Sequence, residues 1–179
     1  LKACARRTIM LLVGITGSIG MGKSTVAQMF KQHGYGVYNA DDTVHFIYEN
    51  DKEVIEMIEI KFPGSTKDGS VNRLALRDIL NKDPKKFRDL EQIVHPVTRK
   101  YQIMYIKRLI AEGKTGCVLD IPLLFETGGE KYVDVAVVVT ASEATQQSRV
   151  VLERKVPLDI FNAIKGQQMP DREKLKKAD

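Results

Sequence analysis

The chain has 179 residues, enough for one α/β domain with a sizeable core. Its hydrophobic fraction of 43% and charged fraction of 28% are ordinary for a globular protein and exclude disordered and fibrous classes. The net charge of +5 suits small polyanionic substrates as well as nucleic acid, but there is no dense Lys/Arg block and no tryptophan, so nothing here points to a nucleic-acid partner.

The basic, apolar start resembles a signal peptide, but the apolar run Ile9–Ile15 is short and leads directly into a glycine-rich turn that cleavage would destroy. That run reads instead as a buried strand, and Met10 as a plausible native start. No stretch approaches the roughly 20 apolar residues of a membrane span, so no membrane partner is expected. Lys23–His33 reads as a helix stopped by Gly34 and Gly36, and Val37–Ala40 as a second strand. From Thr43 to Gly113 the pattern is helical. Val54, Ile55, Ile58 and Phe62 form one stripe, Pro63–Ser70 reads as a loop, and Asn72–Leu80 as a helix. A third helix begins near Pro84, and Pro96 is expected to kink or break it.

Gly116–Ile121 and Val133–Val139 are further apolar strands. Near-continuous apolar strands interleaved with helices predict a parallel sheet covered on both faces. Thr140 and Glu143 read as a capping box opening a helix to about Lys155, and Pro157–Asp179 as a charged, helical tail. Cys4 and Cys117 make no disulfide framework. Cys117 reads as a buried, reduced thiol, which fits a reducing cytoplasm.

The segment Gly17-Ser18-Ile19-Gly20-Met21-Gly22-Lys23-Ser24 satisfies G-x-x-x-x-G-K-[ST], with an apolar strand before it and an amphipathic helix after it. Glycines let successive N–H groups turn inward onto a phosphate, and the helix adds its N-terminal partial charge. Lys23 supplies a point charge for the β- and γ-phosphates, and Ser24 a hydroxyl for magnesium. The chain is therefore read as a phosphotransferase of a nucleoside triphosphate.

The rival classes lack their signatures. No Asp is followed by Gly three places on, as a GTPase switch requires. Asn81-Lys82-Asp83-Pro84 carries Pro where a guanine-reading Asp belongs, and no Leu-Ser-Gly-Gly-Gln of transporter ATPases is present. A small-molecule kinase remains, and it needs an acceptor pocket, a proton acceptor and a basic lid. The second strand ends at Tyr38-Asn39-Ala40-Asp41-Asp42, and chemistry in open α/β sheets sits beyond the carboxyl ends of strands. Asp41 is assigned to proton abstraction and Asp42 to helix capping.

The ordered set GITGSIGMGKSTVA, Asn39-Ala40-Asp41, Val94-His95-Pro96, DIPLLFE and QQMP…KAD resembles dephospho-CoA kinase over essentially the whole chain from about Met10. The resemblance implies a P-loop kinase core with a parallel sheet, a helical substrate-binding insertion and a helical lid. It implies phosphorylation of the ribose 3′-hydroxyl of dephospho-CoA by ATP with Mg2+, the last step of coenzyme A synthesis. The core is expected at 1–42 and 114–141, the insertion at 43–113, and the lid with the start of a closing core segment at 142–179. Gly20, Met21, Gly22, Lys23, Ser24 and Thr25 match the ATP-binding segment, and Asp41 the catalytic base.

Arg73 and Leu76 match a D-R-x-x-L pattern of the acceptor region, with Asn72 in place of its Asp. His95 matches the family's His-Pro, as a substrate contact or a structural residue. Glu126 either positions the acceptor or anchors its loop. Asp120 stands where an acid would reach magnesium through water. Arg149 matches the lid arginine. The family often carries a second arginine four residues later, but here that position is Glu153 and the next residue is Arg154. Either the helix is locally shifted or another residue completes the lid. A different nucleoside or nucleotide kinase is the nearest alternative, and a regulatory triphosphate-binding module the distant one. Four parallel strands are expected within the chain. In the family Lys-Ala-Asp precedes a fifth strand, so the natural protein is expected to continue past Asp179. The sequence says nothing of oligomeric state.

Overall fold

A computed structural model describes residues 10–179. The readings placed on Cys4 and on Ile9 lie outside them. The chain divides into two compact units. Of the described residues, one unit takes in those up to Asn39 together with Ile106–Asp179, and the other is Ala40–Tyr105.

The first unit is built on four parallel strands: β1 (Leu11–Thr16), β2 (Gly36–Asn39), β5 (Gly116–Asp120) and β6 (Val135–Val138), in the order β2-β5-β1-β6. All five residues of β5 are buried, as a central strand covered on both faces requires. Helix α1 (Lys23–Gln32) packs through Ala27 onto Val13, Ile15 and Val118. Among the described residues after 139 there is no further strand. Asp179 instead lies along β6, with its N–H donating to the Ala136 carbonyl (3.1 Å) and its carboxylate accepting from the Ala136 N–H (2.9 Å).

The second unit holds α2 (Ala40–Asn50), α3 (Lys52–Lys61), a two-strand hairpin of β3 (Thr66–Lys67) and β4 (Ser70–Val71), α4 (Arg73–Lys82), and most of α5 (Lys86–Ala111). Its core is Ile47, Val54, Ile58, Phe62, Leu76 and Leu80 with their neighbours. The region 63–70 is thus a hairpin rather than a plain loop. Asp68-Gly69 at its tip both take positive φ, the geometry of a tight primed turn. Asn72 caps α4, accepting from the N–H groups of Leu74 and Ala75.

Pro96 neither ends nor divides α5, which runs unbroken past it. Leu90, Ile93 and Val94 before the proline and Val97 and Tyr101 after it pack on the same core, so burial on both sides offsets the one lost hydrogen bond.

The cap after β6 also differs from the expected one. Ser142, not Thr140, is the N-cap of α6 (Glu143–Gln147), its hydroxyl accepting from the Thr145 N–H. Glu143 is therefore the first helical residue. The helix continues as a π-helical turn over Ser148–Glu153, followed by α7 (Leu158–Gln167) and α8 (Asp171–Leu175).

Candidate active site

The phosphate loop links the carboxyl end of β1 to α1. Gly22 is the helix N-cap at φ 97°, in the left-handed region where a side chain is strained. At Gly20, φ is +79° and an added Cβ would come within 2.5 Å of Val150 Cγ2, so this position requires glycine twice over. The Thr25 and Val26 N–H groups both donate to the Gly22 carbonyl (3.1 and 3.2 Å), and a helix start of this kind favours an anion. Lys23 Nζ donates to the Gly17 carbonyl across the loop (2.8 Å). Ser24 and Thr25 are exposed in the first turn, and Met21 is buried.

Arg149 reaches back over this loop. Its Nη1 lies 3.4 Å from the carbonyls of both Gly20 and Met21. The π-turn bears on the second basic residue. The Arg154 N–H donates to the Arg149 carbonyl (3.2 Å), five residues back instead of four. Such a turn holds one extra residue, so Arg154 stands where a residue four places on would stand in an α-helix. The helix carries a local π-turn at this point.

Asp120 is the last residue of β5, 6% exposed and in register with Ile15 on β1 and Asn39 on β2. Asp120 and the Ser24 hydroxyl are each oxygen donors of the kind a hard cation takes. Magnesium usually takes only one or two protein oxygens and leaves the rest to phosphate and water. No cluster of three or more His, Cys, Asp or Glu able to hold a metal occurs among the described residues.

Glu126 follows the loop after β5. One carboxylate oxygen accepts from the Met169 N–H (2.8 Å) and lies 3.0 Å from Lys174 Nζ, whose side chain is fully buried. Burial pushes the Glu126 carboxyl up, but the bond from Met169 and the bond and charge of Lys174 outweigh it, and the group sits below the ordinary carboxylate range. Lys174 also points at the Pro122 carbonyl, which accepts from Thr16 Oγ1 (2.9 Å).

In the second unit, Asp41 and Asp42 both lie in the first turn of α2, exposed, immediately after the carboxyl end of β2. Arg73 opens α4 and is exposed, and its charge acts on the buried Tyr48 phenol, which burial nevertheless holds above its usual range. His95 is exposed on α5.

Sequence reasoning missed three side chains that touch the phosphate loop: Gln146, Gln168 and Asp171. The QQMP segment contained Gln168, but no spacing rule places it against a loop about 150 residues earlier.

A model of the dephospho-CoA kinase family matches residues 11–179. The chain belongs to the dephospho-CoA kinase family. It is 47% identical over 170 residues to a dephospho-CoA kinase of Rhodopseudomonas palustris, covering 95% of this chain and 84% of that one. With the Bartonella quintana dephospho-CoA kinase it shares 45% identity over 95% of this chain and 87% of the relative. Among solved structures, that of TT1252 from Thermus thermophilus superposes with a TM-score of 0.84 at 33% identity, covering 95% of this chain and 86% of that one. The dephospho-CoA kinase from Campylobacter jejuni gives 0.66 at 27% identity, covering 94% and 85%. This dephospho-CoA kinase family member is thus a kinase with the family's P-loop fold.

Proposed function

We propose that the protein transfers the γ-phosphoryl group of ATP to the ribose 3′-hydroxyl of dephospho-CoA, with magnesium, as the final step of coenzyme A synthesis. The observation that carries this is a complete phosphate loop in the strand–loop–helix setting, within a chain that matches the family along its described length. The residues Gly20–Thr25 bind the triphosphate. Magnesium, held through Ser24 and more remotely Asp120, would neutralise charge building on the β- and γ-phosphate oxygens. Lys23 and Arg149 offset the remaining charge, and Arg154 is the second lid arginine, supplied by the π-turn. Asp41 orients the acceptor hydroxyl and takes its proton.

The 43–113 insertion carries the acceptor site, with Arg73 and His95 as the exposed groups offered to the substrate. For Glu126, its bonds to Met169 and Lys174 support the anchoring role. The segment 142–179 is the lid and its root. Within the described residues no helix is long and apolar enough to cross a membrane, and the buried free Cys117 supports a cytoplasmic setting.

The test is ADP release with dephospho-CoA, adenosine and AMP as acceptors. Dephospho-CoA is expected to raise the rate well above basal hydrolysis and the others far less. Equal turnover with AMP would reassign the protein to the nucleotide kinases.

A further inference from the structure

The first turn of the phosphate loop is held from outside by three side chains. The Ser18 hydroxyl, on a residue only 4% exposed, donates to Asp171 Oδ1 at 2.6 Å. The Ile19 N–H donates to Gln168 Oε1 (3.0 Å), and the Ile19 carbonyl accepts from Gln146 Nε2 (2.8 Å), whose residue is 1% exposed. Both backbone polar groups of Ile19 are thereby committed to protein rather than to an anion. The Met21 N–H closes a turn onto the Ser18 carbonyl (3.2 Å), which makes this half of the loop a fixed frame for the N–H groups that follow.

The elements that supply these groups are themselves fixed. Gln168 caps the C-terminal end of α7, and Asp171 opens α8 three residues later. Lys174, one turn further along α8, is buried against Glu126 and the Pro122 carbonyl. The side chain of Lys174 thus pins α8 to the loop after β5, while Asp171 at its start reaches Ser18.

We propose that Asp171 is a positioning residue for the triphosphate site, acting through the Ser18 hydroxyl and, with Gln168, tying the phosphate loop to the end of α7. The charge of Asp171 argues for this role. A carboxylate beside an anion-binding loop opposes a triphosphate, so charge complementarity does not explain it. What it supplies is a short, charge-assisted bond that shapes the loop before nucleotide arrives, so that less ordering is left to be done on binding. Geometry and charge can then be separated by substitution. Asp171→Asn keeps the Oδ1 acceptor and removes the charge, whereas Asp171→Ala removes both.

The proposal rests on the reading of Gly17–Ser24 as a triphosphate loop, and the test separates the two. ATP binding is measured by calorimetry with magnesium on the full chain and on D171A, D171N, S18A and S18A/D171A, each with a thermal melt. Asp171→Ala should weaken ATP about 10-fold or more, the scale of a lost charge-assisted bond. Ser18→Ala should lose a similar factor, and the double variant no more than the worse single one. Asp171→Asn should bind within about three-fold of the natural chain or tighter, since its acceptor is kept. If D171N fails as badly as D171A, or if the losses of S18A and D171A multiply, Asp171 does not act through Ser18 and the proposal is overturned. Should D171A fold too poorly to assay, the ratio between S18A and D171N decides alone: S18A weak and D171N intact supports the proposal, and the reverse overturns it. Absence of ATP binding by the natural chain itself would instead sink the reading of the loop, and the proposal with it.

Discussion

Lys174 has no exposed side-chain surface and holds its ammonium 3.0 Å from the carboxylate of Glu126, 48 positions earlier in the chain. A buried pair of this kind is costly to break from one side, because the remaining charge is left unpaired. Lys174→Met should therefore lower unfolding free energy by about 3–5 kcal/mol. Adding Glu126→Gln to that variant should recover part of the loss. Urea melts of the natural chain and the two variants measure both effects, and a double variant less stable than Lys174→Met would show that the pair is not the cause.

Glu126 also sets an acid limit on stability. Its folded pKa lies below the usual carboxylate value, so its contribution is complete above the unfolded pKa and is lost as pH falls through the folded one. The stability advantage of the natural chain over Glu126→Gln should be constant near neutrality and shrink below about pH 4, where unfolded carboxyls titrate. An advantage that grows on acidification would contradict the lowered pKa.

Asp41 and Lys23 should separate by kinetics. With Asp41 as the proton acceptor, Asp41→Asn should cut kcat by about 10²–10⁴-fold while ATP binding barely changes. Lys23→Ala should weaken ATP binding and turnover together, since its charge meets the phosphates in both ground and transition states. Full kcat in Asp41→Asn would show that the carboxylate serves only the first turn of α2, where it also favours the helix dipole.

The π-turn makes a prediction about the two arginines. Arg149→Ala should lower kcat by about 10²-fold or more, as for other groups that offset transition-state charge. Arg154→Ala should cost less than this but clearly more than the adjacent Lys155→Ala. Steady-state kinetics of the three variants decide it, and equal, small effects at 154 and 155 would remove Arg154 from the lid.

Cys117 has no exposed surface, and burial pushes its thiol up to about 12. The Cys117 peptide should stay unmodified when the folded protein is treated with iodoacetamide at pH 8 and be fully modified after denaturation, as read by mass spectrometry. Rapid labelling of the native chain would mean that β5 opens readily.

The parts of this protein that sequence alone determined are those governed by neighbours along the chain. The glycine loop, its flanking strand and helix, and the four strands of the parallel sheet follow from short-range backbone geometry and apolar runs. The apolar stripe at Val54, Ile55, Ile58 and Phe62 likewise pointed to a buried helix face. Local rules failed where a distant group outweighs a local preference. Pro96 reads as a kink or a break in the helix, yet a common core on both sides carries α5 past it unbroken. Thr140 has the spacing of a cap, but the chain is still leaving β6 there and Ser142 takes the role. The Asp-Gly tip of the β3–β4 hairpin is a turn signal, but strands only two residues long leave no alternating pattern beside it. The π-turn over Ser148–Glu153 leaves no mark in the local sequence pattern. The grip of Asp171, Gln168 and Gln146 on Ser18 and Ile19 was not legible at all. Hydrogen bonds between residues more than 120 positions apart leave no periodic trace in a sequence, and only the folded chain brings those atoms within 3 Å.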